Sequence, residues 1–437
     1  MSTDRRSFIK QSAAIAASAS ALTAMAYEDV SADPSTIPVT PAVRPPRDAE
    51  PVRIAIIGTG GMGTGHAEAI ARFARDGITD VEIVALCDVN TVRMTEAATK
   101  IRRLGRSNAI TPYTDYRKLL QDPSIHGVLI AVPEHWHGKI AEDAILAGKD
   151  VYVEKPMTLR LKQAMHLREV AARNPDRMAV VGTQYTTYPS YNAAKKLIAE
   201  GAIGKPTFSQ VSYCRNSKEG EWLYYKIDPA WVPGETLDWN FWLGELPKVP
   251  YNAEVYARWR RYKDYSTGII GDLLVHHMTP MVMALDAGWP TRVVASGGHY
   301  VDKAMENHDQ VNINVEFEKE HTMIVAGSTS NEVGLESLIR GHKANLYLGD
   351  SRKVTLRPER AYGEEIEERV IQGDDNKMDS QDQLRLQWLQ SIRTRQQPVS
   401  TIDLGTRVMV IVDLATRSMW TGKAYGFDPA KMQVREI

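Results

Sequence analysis

The chain has 437 residues, 43% of them hydrophobic and 24% charged, with a formal net charge of −1. That length accommodates two or three domains, and the composition is that of a soluble globular protein. Near-neutral charge with no long Lys/Arg run speaks against nucleic acid as a partner. Two cysteines, Cys87 and Cys214, are too few for a disulfide framework or a Cys/His zinc pattern, so no metal is expected.

In chain order, the first feature is Asp4-Arg5-Arg6-Ser7-Phe8-Ile9-Lys10, which resembles the twin-arginine export motif. An Ala/Ser-rich apolar stretch runs from Ser12 to Ala26, and Ala24-Met25-Ala26 reads as a small-x-small cleavage site. The stretch, about 15 residues, is too short to span a bilayer. The expectation is a twin-arginine signal over 1–26, recognised by the twin-arginine export machinery, and a periplasmic or otherwise exported protein. Residues 27–50, rich in Pro with small and acidic residues, read as a linker.

Val52–Ile57 has a buried-strand pattern and runs directly into Gly58-Thr59-Gly60-Gly61-Met62-Gly63, followed by a helical stretch from His66 to Asp76. In such a loop Gly58 permits the tight turn, Gly60 lets the backbone approach a pyrophosphate, and Gly63 lets helix pack on strand. The helix N-terminus supplies unpaired N–H groups for the phosphates. A second strand, Val81–Cys87, ends in Asp88, and 88 − 63 = 25 residues separate that acid from the last glycine. An acid at this place grips the adenosine ribose and repels a 2′-phosphate, which favours NAD; Arg93 keeps NADP open.

The alternation continues. His126–Val132 leads into Pro133-Glu134-His135-Trp136-His137 and a helix from Lys139 to Gly148. Asp150–Val153 ends in Glu154-Lys155-Pro156, and Met178–Gly182 is the last strand of this half. Strands alternating with helices predict a parallel sheet whose ligands bind beyond the strands' carboxyl ends. Residues 51–182 are therefore expected to form a dinucleotide-binding domain, with both motifs facing the nicotinamide. Residues 183–437 form a second domain with strand-like runs at Thr207–Cys214, Arg292–Val301, Gln310–Phe317, His321–Ser328, Ala344–Gly349 and Lys353–Arg357. Trp222, Trp231, Trp239, Trp242 and Trp259 cluster in one segment, compatible with a sugar-stacking cleft or with a core or dimer-interface role. Asp272 and His276, four apart, would share one helical face.

Taken together, these segments resemble the glucose–fructose oxidoreductase / inositol dehydrogenase / MocA family, its exported twin-arginine members in particular. The resemblance rests on Gly58–Gly63, Asp88, Pro133 with His137, Glu154-Lys155-Pro156, Gly268–His276 and the closing Tyr425-Gly426-Phe427-Asp428-Pro429, and it covers residues 50 to 437. It implies an N-terminal Rossmann doubly wound parallel sheet plus a C-terminal α/β domain with a large open, mainly antiparallel sheet. In the family that sheet commonly forms an oligomer interface, so a homodimer or homotetramer is expected. The implied activity is hydride transfer between tightly bound NAD(P) and a sugar or polyol.

Carried over residue by residue, the resemblance puts Lys155 beside the nicotinamide, where an ammonium can polarise a carbonyl or steady an alkoxide. It makes His276 the group that takes the hydroxyl proton, oriented by Asp272. Pro133, His137 and Glu154 would border the nicotinamide. Tyr185, Arg260, Tyr265 and His277 are the further substrate candidates. Two positions depart from the family pattern: Thr279 stands where an aspartate is common, and Leu274 where a glycine is usual. An alternative is a glycosidase that oxidises its sugar transiently, eliminates the aglycone and returns the hydride; the intact Glu154-Lys155-Pro156 favours the simpler oxidoreductase. A third reading is a non-catalytic binding protein stabilised by the cofactor. The twin-arginine route carries folded proteins, so export implies a cofactor loaded beforehand and recycled in place.

Overall fold

The structure, a computed structural model, describes residues 44–47, 50–104, 109–373 and 377–437. The expected signal over 1–26 lies outside them, as does most of the expected linker over 27–50.

Six strands, β1 (Val52–Ile57), β2 (Val81–Cys87), β3 (Thr111–Tyr113), β4 (Gly127–Ile130), β5 (Asp150–Val153) and β6 (Ala179–Val181), form a sheet in the order β3-β2-β1-β4-β5-β6. Every pairing in it is parallel. The order reverses between β1 and β4, which opens a crevice at their carboxyl ends. β4, β5 and β6 are buried at every position, as expected of strands covered by helices on both faces.

Two helix starts differ from the expectation. The first helix begins at Gly61 rather than His66, and the one expected from Lys139 begins at Glu134. In both, the first turn carries glycines or polar residues, so apolar periodicity does not mark it. Glu134 and His137 are nonetheless buried, because hydrogen bonds rather than apolar contacts satisfy them. β3 carries no apolar pattern, because it has three residues, two of them exposed.

The second sheet has ten strands: β7 (Pro206–Cys214), β8 (Pro290–Gly298), β9 (Gln310–Phe317), β10 (His321–Ser328), β11 (Leu338–Gly341), β12 (Ala344–Tyr347), β13 (Lys353–Pro358), β14 (Arg369–Gln372), β15 (Tyr425–Asp428) and β16 (Gln433–Glu436). Their order is β14-β13-β12-β11-β7-β10-β9-β8-β15-β16, antiparallel throughout except for β7 against β10. The helices Pro189–Ala199, Val275–Leu285 and Ile402–Thr421 pack on one face. On β9, Val311, Ile313 and Val315 point into that core, while Asn312, Asn314 and Glu316 face solvent. The four unanticipated strands, β11 and β14 to β16, have four residues each, too few to display an alternation.

One late element crosses back. The helix Ser380–Thr394 sends Leu384, Trp388, Leu389 and Ile392 into the core of the parallel sheet, against Ile54, Leu129 and Tyr152. Just beyond it, Arg395 grips the buried Asp150 at the start of β5 with two N–H groups, at 2.9 and 2.6 Å.

Candidate active site

The cleft starts at the glycine loop. Gly58 adopts φ +90°, and a Cβ there would lie 2.6 Å from the Ala131 carbonyl oxygen. A Cβ on Gly63 would lie 1.8 Å from the Gly58 oxygen, so this turn admits only glycine at both positions. Gly60 caps the helix with no side-chain hydrogen bond, leaving a backbone cradle of the kind that binds phosphate. The residues present therefore fit a dinucleotide pyrophosphate. Asp88 closes the loop from β2: its Oδ2 accepts the Thr59 N–H at 2.6 Å and hydroxyl at 2.9 Å, and its Oδ1 accepts the Asn90 N–H at 2.8 Å. Thr59 is 2% exposed, so it braces Asp88 rather than lining the cleft.

From this loop the cleft passes Gly60, Gly61, Met62 and Asp88 and reaches Pro133, His137, Glu154 and Lys155 at the ends of β4 and β5. An aromatic segment roofs it. Thr91 N–H and Asp238 N–H bond the carbonyls of Thr236 and Val89, both at 2.9 Å, and Asn90 donates to the Tyr256 hydroxyl at 2.9 Å. At the other end, His135 Nε2 and Trp136 Nε1 both meet the Trp242 carbonyl at 2.8 Å. The Arg93 guanidinium lies over Trp231 and Tyr256, 4.3 and 4.8 Å from their ring centres. Of the readings of the tryptophans, packing holds for Trp222 and Trp239, which are buried; Trp242, also buried, packs in the same core as Trp239 and borders the cleft, as does Trp259. Tyr265 belongs to the same aromatic core, 5.5 Å from the His135 ring, so this substrate candidate is a packing residue.

At the far end, the Lys155 ammonium donates to the Asp272 carbonyl at 2.7 Å and to its Oδ1 at 2.9 Å. Arg260 Nε donates to the same Oδ1 at 2.8 Å. Burial opposes ionisation of Asp272, but the two cations outweigh it and hold the carboxyl far below the usual carboxylate range. The expected relay from Asp272 to His276 is thereby corrected. Ile270–Leu274 forms a π-helical turn ahead of the helix Val275–Leu285, and Asp272 is committed to Lys155 and Arg260. Two charged donors outcompete a neutral imidazole.

Among the described residues, His276 is left with an unpartnered Nδ1, as is His277. Burial first, and the Lys155 charge second, push His276 down to about 3, so the imidazole is neutral. Tyr185 and Tyr213 flank it at 5.4 and 5.9 Å between ring centres, and both also border His277. His137 is 1% exposed, with its ring nitrogens 2.7 Å from the carbonyls of Pro156 and Val132; it ties the two strand ends together as part of the cleft wall. The Lys155–Pro156 peptide beside it is cis.

Several groups at the site left no sequence signal. Glu134, 1% exposed, accepts the Ser266 hydroxyl at 2.6 Å, the Thr267 N–H at 3.0 Å and the Thr267 hydroxyl at 3.2 Å, clamping the segment that leads to Asp272. Burial pushes its carboxyl up to about 7. His66 and Arg385 had none either: His66 donates to the motif residue Glu154, and its other ring nitrogen accepts from Arg385. Tyr213, on β7, had no motif to announce it. Among the described residues, no group of three or more His, Cys, Asp or Glu is placed to hold a metal.

The model of an oxidoreductase family's NAD-binding Rossmann fold matches residues 52–183, and that of its C-terminal alpha/beta domain matches 189–436. The inositol 2-dehydrogenase/D-chiro-inositol 3-dehydrogenase of Lactiplantibacillus plantarum is 29% identical over 159 residues, 36% of this chain and 43% of that protein. Levoglucosan dehydrogenase of Pseudarthrobacter phenanthrenivorans is 32% identical over 195 residues, 44% of this chain and 45% of its own length. Glycosyl hydrolase family 109 protein 2 of a Shewanella species is 34% identical over 177 residues, 38% of this chain and 37% of that one. The matches thus span less than half of each of these three relatives. Among solved structures, an NAD-binding oxidoreductase from Klebsiella pneumoniae superposes with a TM-score of 0.64 at 21% identity, over 86% of this chain and 98% of that one. Levoglucosan dehydrogenase in complex with NADH and levoglucosan gives 0.63 at 19% identity, over 89% and 100% of the two chains. With both halves of the chain matched in order, the protein belongs to the glucose–fructose oxidoreductase / inositol dehydrogenase / MocA family of NAD-binding oxidoreductases.

Proposed function

We propose that the protein is an NAD-dependent oxidoreductase of a sugar or polyol. The observation that carries this is the Lys155 ammonium, fixed by Asp272 at the end of the dinucleotide cleft, with the neutral His276 nearby. Bound NAD would supply or accept the hydride. Lys155 would steady the substrate oxygen as charge develops on it, and His276 would hold the hydroxyl proton. Two cations, Lys155 and Arg260, stand against two carboxylates, Asp272 and Glu154; that balance suits an uncharged substrate. The names of the inositol and levoglucosan dehydrogenases among the relatives agree with it. Tyr185, Arg260 and His277 are proposed to contact the substrate, with Tyr213 beside them. Asp88 at the end of β2 supports NAD over NADP, and Arg93 is the group through which NADP would enter.

The roof pinned at both ends supports a dinucleotide that stays bound through turnover. Export through the motif at residues 4–10 would require that, and the family resemblance extends the proposal to a homodimer or homotetramer through the second sheet. The test is to purify the protein, identify the co-purifying dinucleotide by mass, and titrate the complex with neutral sugars and polyols while following reduced-nicotinamide absorbance. No redox change across the panel would overturn the reading. The Shewanella relative favours a second reading, glycoside cleavage by transient oxidation; release of the aglycone from aryl glycosides with no added acceptor would select it.

A further inference from the structure

A buried chain of polar contacts leads from the second half of the sequence to the nicotinamide end of the cleft. Arg385, on the helix Ser380–Thr394, donates through Nε to His66 Nδ1 at 2.8 Å. His66, on the helix that follows the glycine loop, has Nε2 2.8 Å from Glu154 Oε1. His66 is fully buried, and Glu154 and Arg385 are each 5% exposed. Arg385 is also paired with Asp382.

The donors fix the tautomer. A guanidinium has only N–H groups to offer, so His66 Nδ1 must present its lone pair. The single imidazole proton is then on Nε2, where it donates to Glu154. Burial alone would lower the His66 pKa and raise that of Glu154. The hydrogen bond from His66, aided by the Lys155 ammonium, instead holds the Glu154 carboxyl below its ordinary value. The second oxygen, Oε2, accepts the Lys155 N–H at 3.1 Å. Both ends of the carboxylate are thus set in place where Glu154 lines the cleft.

We infer that Arg385 and His66 are positioning residues that hold Glu154 as an oriented anion at the nicotinamide end of the cleft and thereby favour the oxidised dinucleotide over the reduced one. The inference rests on the dinucleotide reading above. The oxidised nicotinamide ring carries a positive charge and the reduced ring does not, so a fixed carboxylate beside it stabilises the two forms unequally. Without Arg385, His66 is free to place its proton on Nδ1. The buried Nδ1 acceptor then has lost its donor, so the ring is no longer held against Glu154 and the carboxylate loses its fixed orientation.

The experiment measures dissociation constants of NAD⁺ and NADH for the full chain by calorimetry, in wild type, Arg385→Met and His66→Gln. Arg385→Met is expected to weaken NAD⁺ relative to NADH by about ten-fold. His66→Gln, whose amide can still donate to Glu154 and accept from Arg385, is expected to stay within about three-fold of the wild-type ratio. A ratio in Arg385→Met within two-fold of wild type, whatever its melting temperature, overturns the inference. If Arg385→Met fails to fold, Glu154→Gln takes its place, with the same ten-fold shift expected and an unchanged ratio again decisive. A wild-type protein that binds neither dinucleotide overturns the reading beneath the inference, so the two failures are distinct.

Discussion

One carboxylate oxygen of Asp272 serves two cations, and the site depends on it. Its side chain and that of Lys155 are 8% and 7% exposed. Removing one partner of a buried ion pair leaves a charge unpaired, at a cost of about 3–5 kcal/mol. Asp272→Asn is therefore expected to lower the melting temperature and, by freeing Lys155, to reduce turnover on the order of a hundred-fold. A variant with wild-type melting and turnover would sink that account. A second residue-level expectation concerns His276. Because it stays neutral down to about 3, kcat/KM measured between pH 5 and 8 should show no limb near the ordinary imidazole value that disappears in His276→Asn. At this scale the motif residues Lys155, Asp272 and His276 were legible, but their pairing was not. Four-residue spacing assigned Asp272 to His276, whereas its partner is Lys155, 117 positions away.

Among the elements, the strand–glycine–helix unit separates two glycine roles. Gly60 has φ −63°, and the nearest atom a Cβ would meet is Arg93 Nη1 at 3.4 Å. Gly63 has no such room, with its Cβ 1.8 Å from the Gly58 oxygen. Gly60→Ala should fold with an unchanged melting temperature and bind NAD about ten-fold more weakly, because the methyl occupies the dinucleotide's approach. Gly63→Ala should melt well below wild type. Equal melting temperatures for the two variants would contradict this division. The unit was legible because everything that defines it lies within a few dozen residues. The roof was not: Trp239 and Trp242 look alike on a sugar face and in a core, and the Trp242 carbonyl that meets His135 and Trp136 carries no residue-type signal.

Across the whole molecule, buried histidines set the response to acid. His126 and His321, 7% and 2% exposed, are each pushed down by burial to about 4, and His135 likewise. An unfolded chain takes these protons near the ordinary imidazole pKa, while the folded one resists until about pH 4. Between those values the unfolded state binds more protons, so stability falls as pH falls. His126 and His321 each withdraw on the order of 3 kcal/mol by the time both states are protonated. Glu134, Asp143 and Asp150, whose carboxyls burial raises, work in the opposite direction, but among the described residues they are three groups against eight lowered imidazoles. Calorimetry from pH 7.5 to 4.5 should show a steep drop in melting temperature; a flat profile would contradict the burial of these imidazoles.

The longer strands of both sheets, the glycine cradle, the acid ending β2 and the lysine ending β5 could be read from the chain because each is written in neighbouring residues, as a period, a turn or a strand end. Tertiary structure alone decided which donor met which acceptor. It brought Arg385 to His66 across 319 residues and Ser266 to Glu134 across 132. It also returned the helix Ser380–Thr394 to a sheet whose strands end at residue 181. A hydrogen bond between distant residues leaves no periodicity in either segment. Its partners are set by the packing of strands and helices, and the electrostatics of the site follow from that packing.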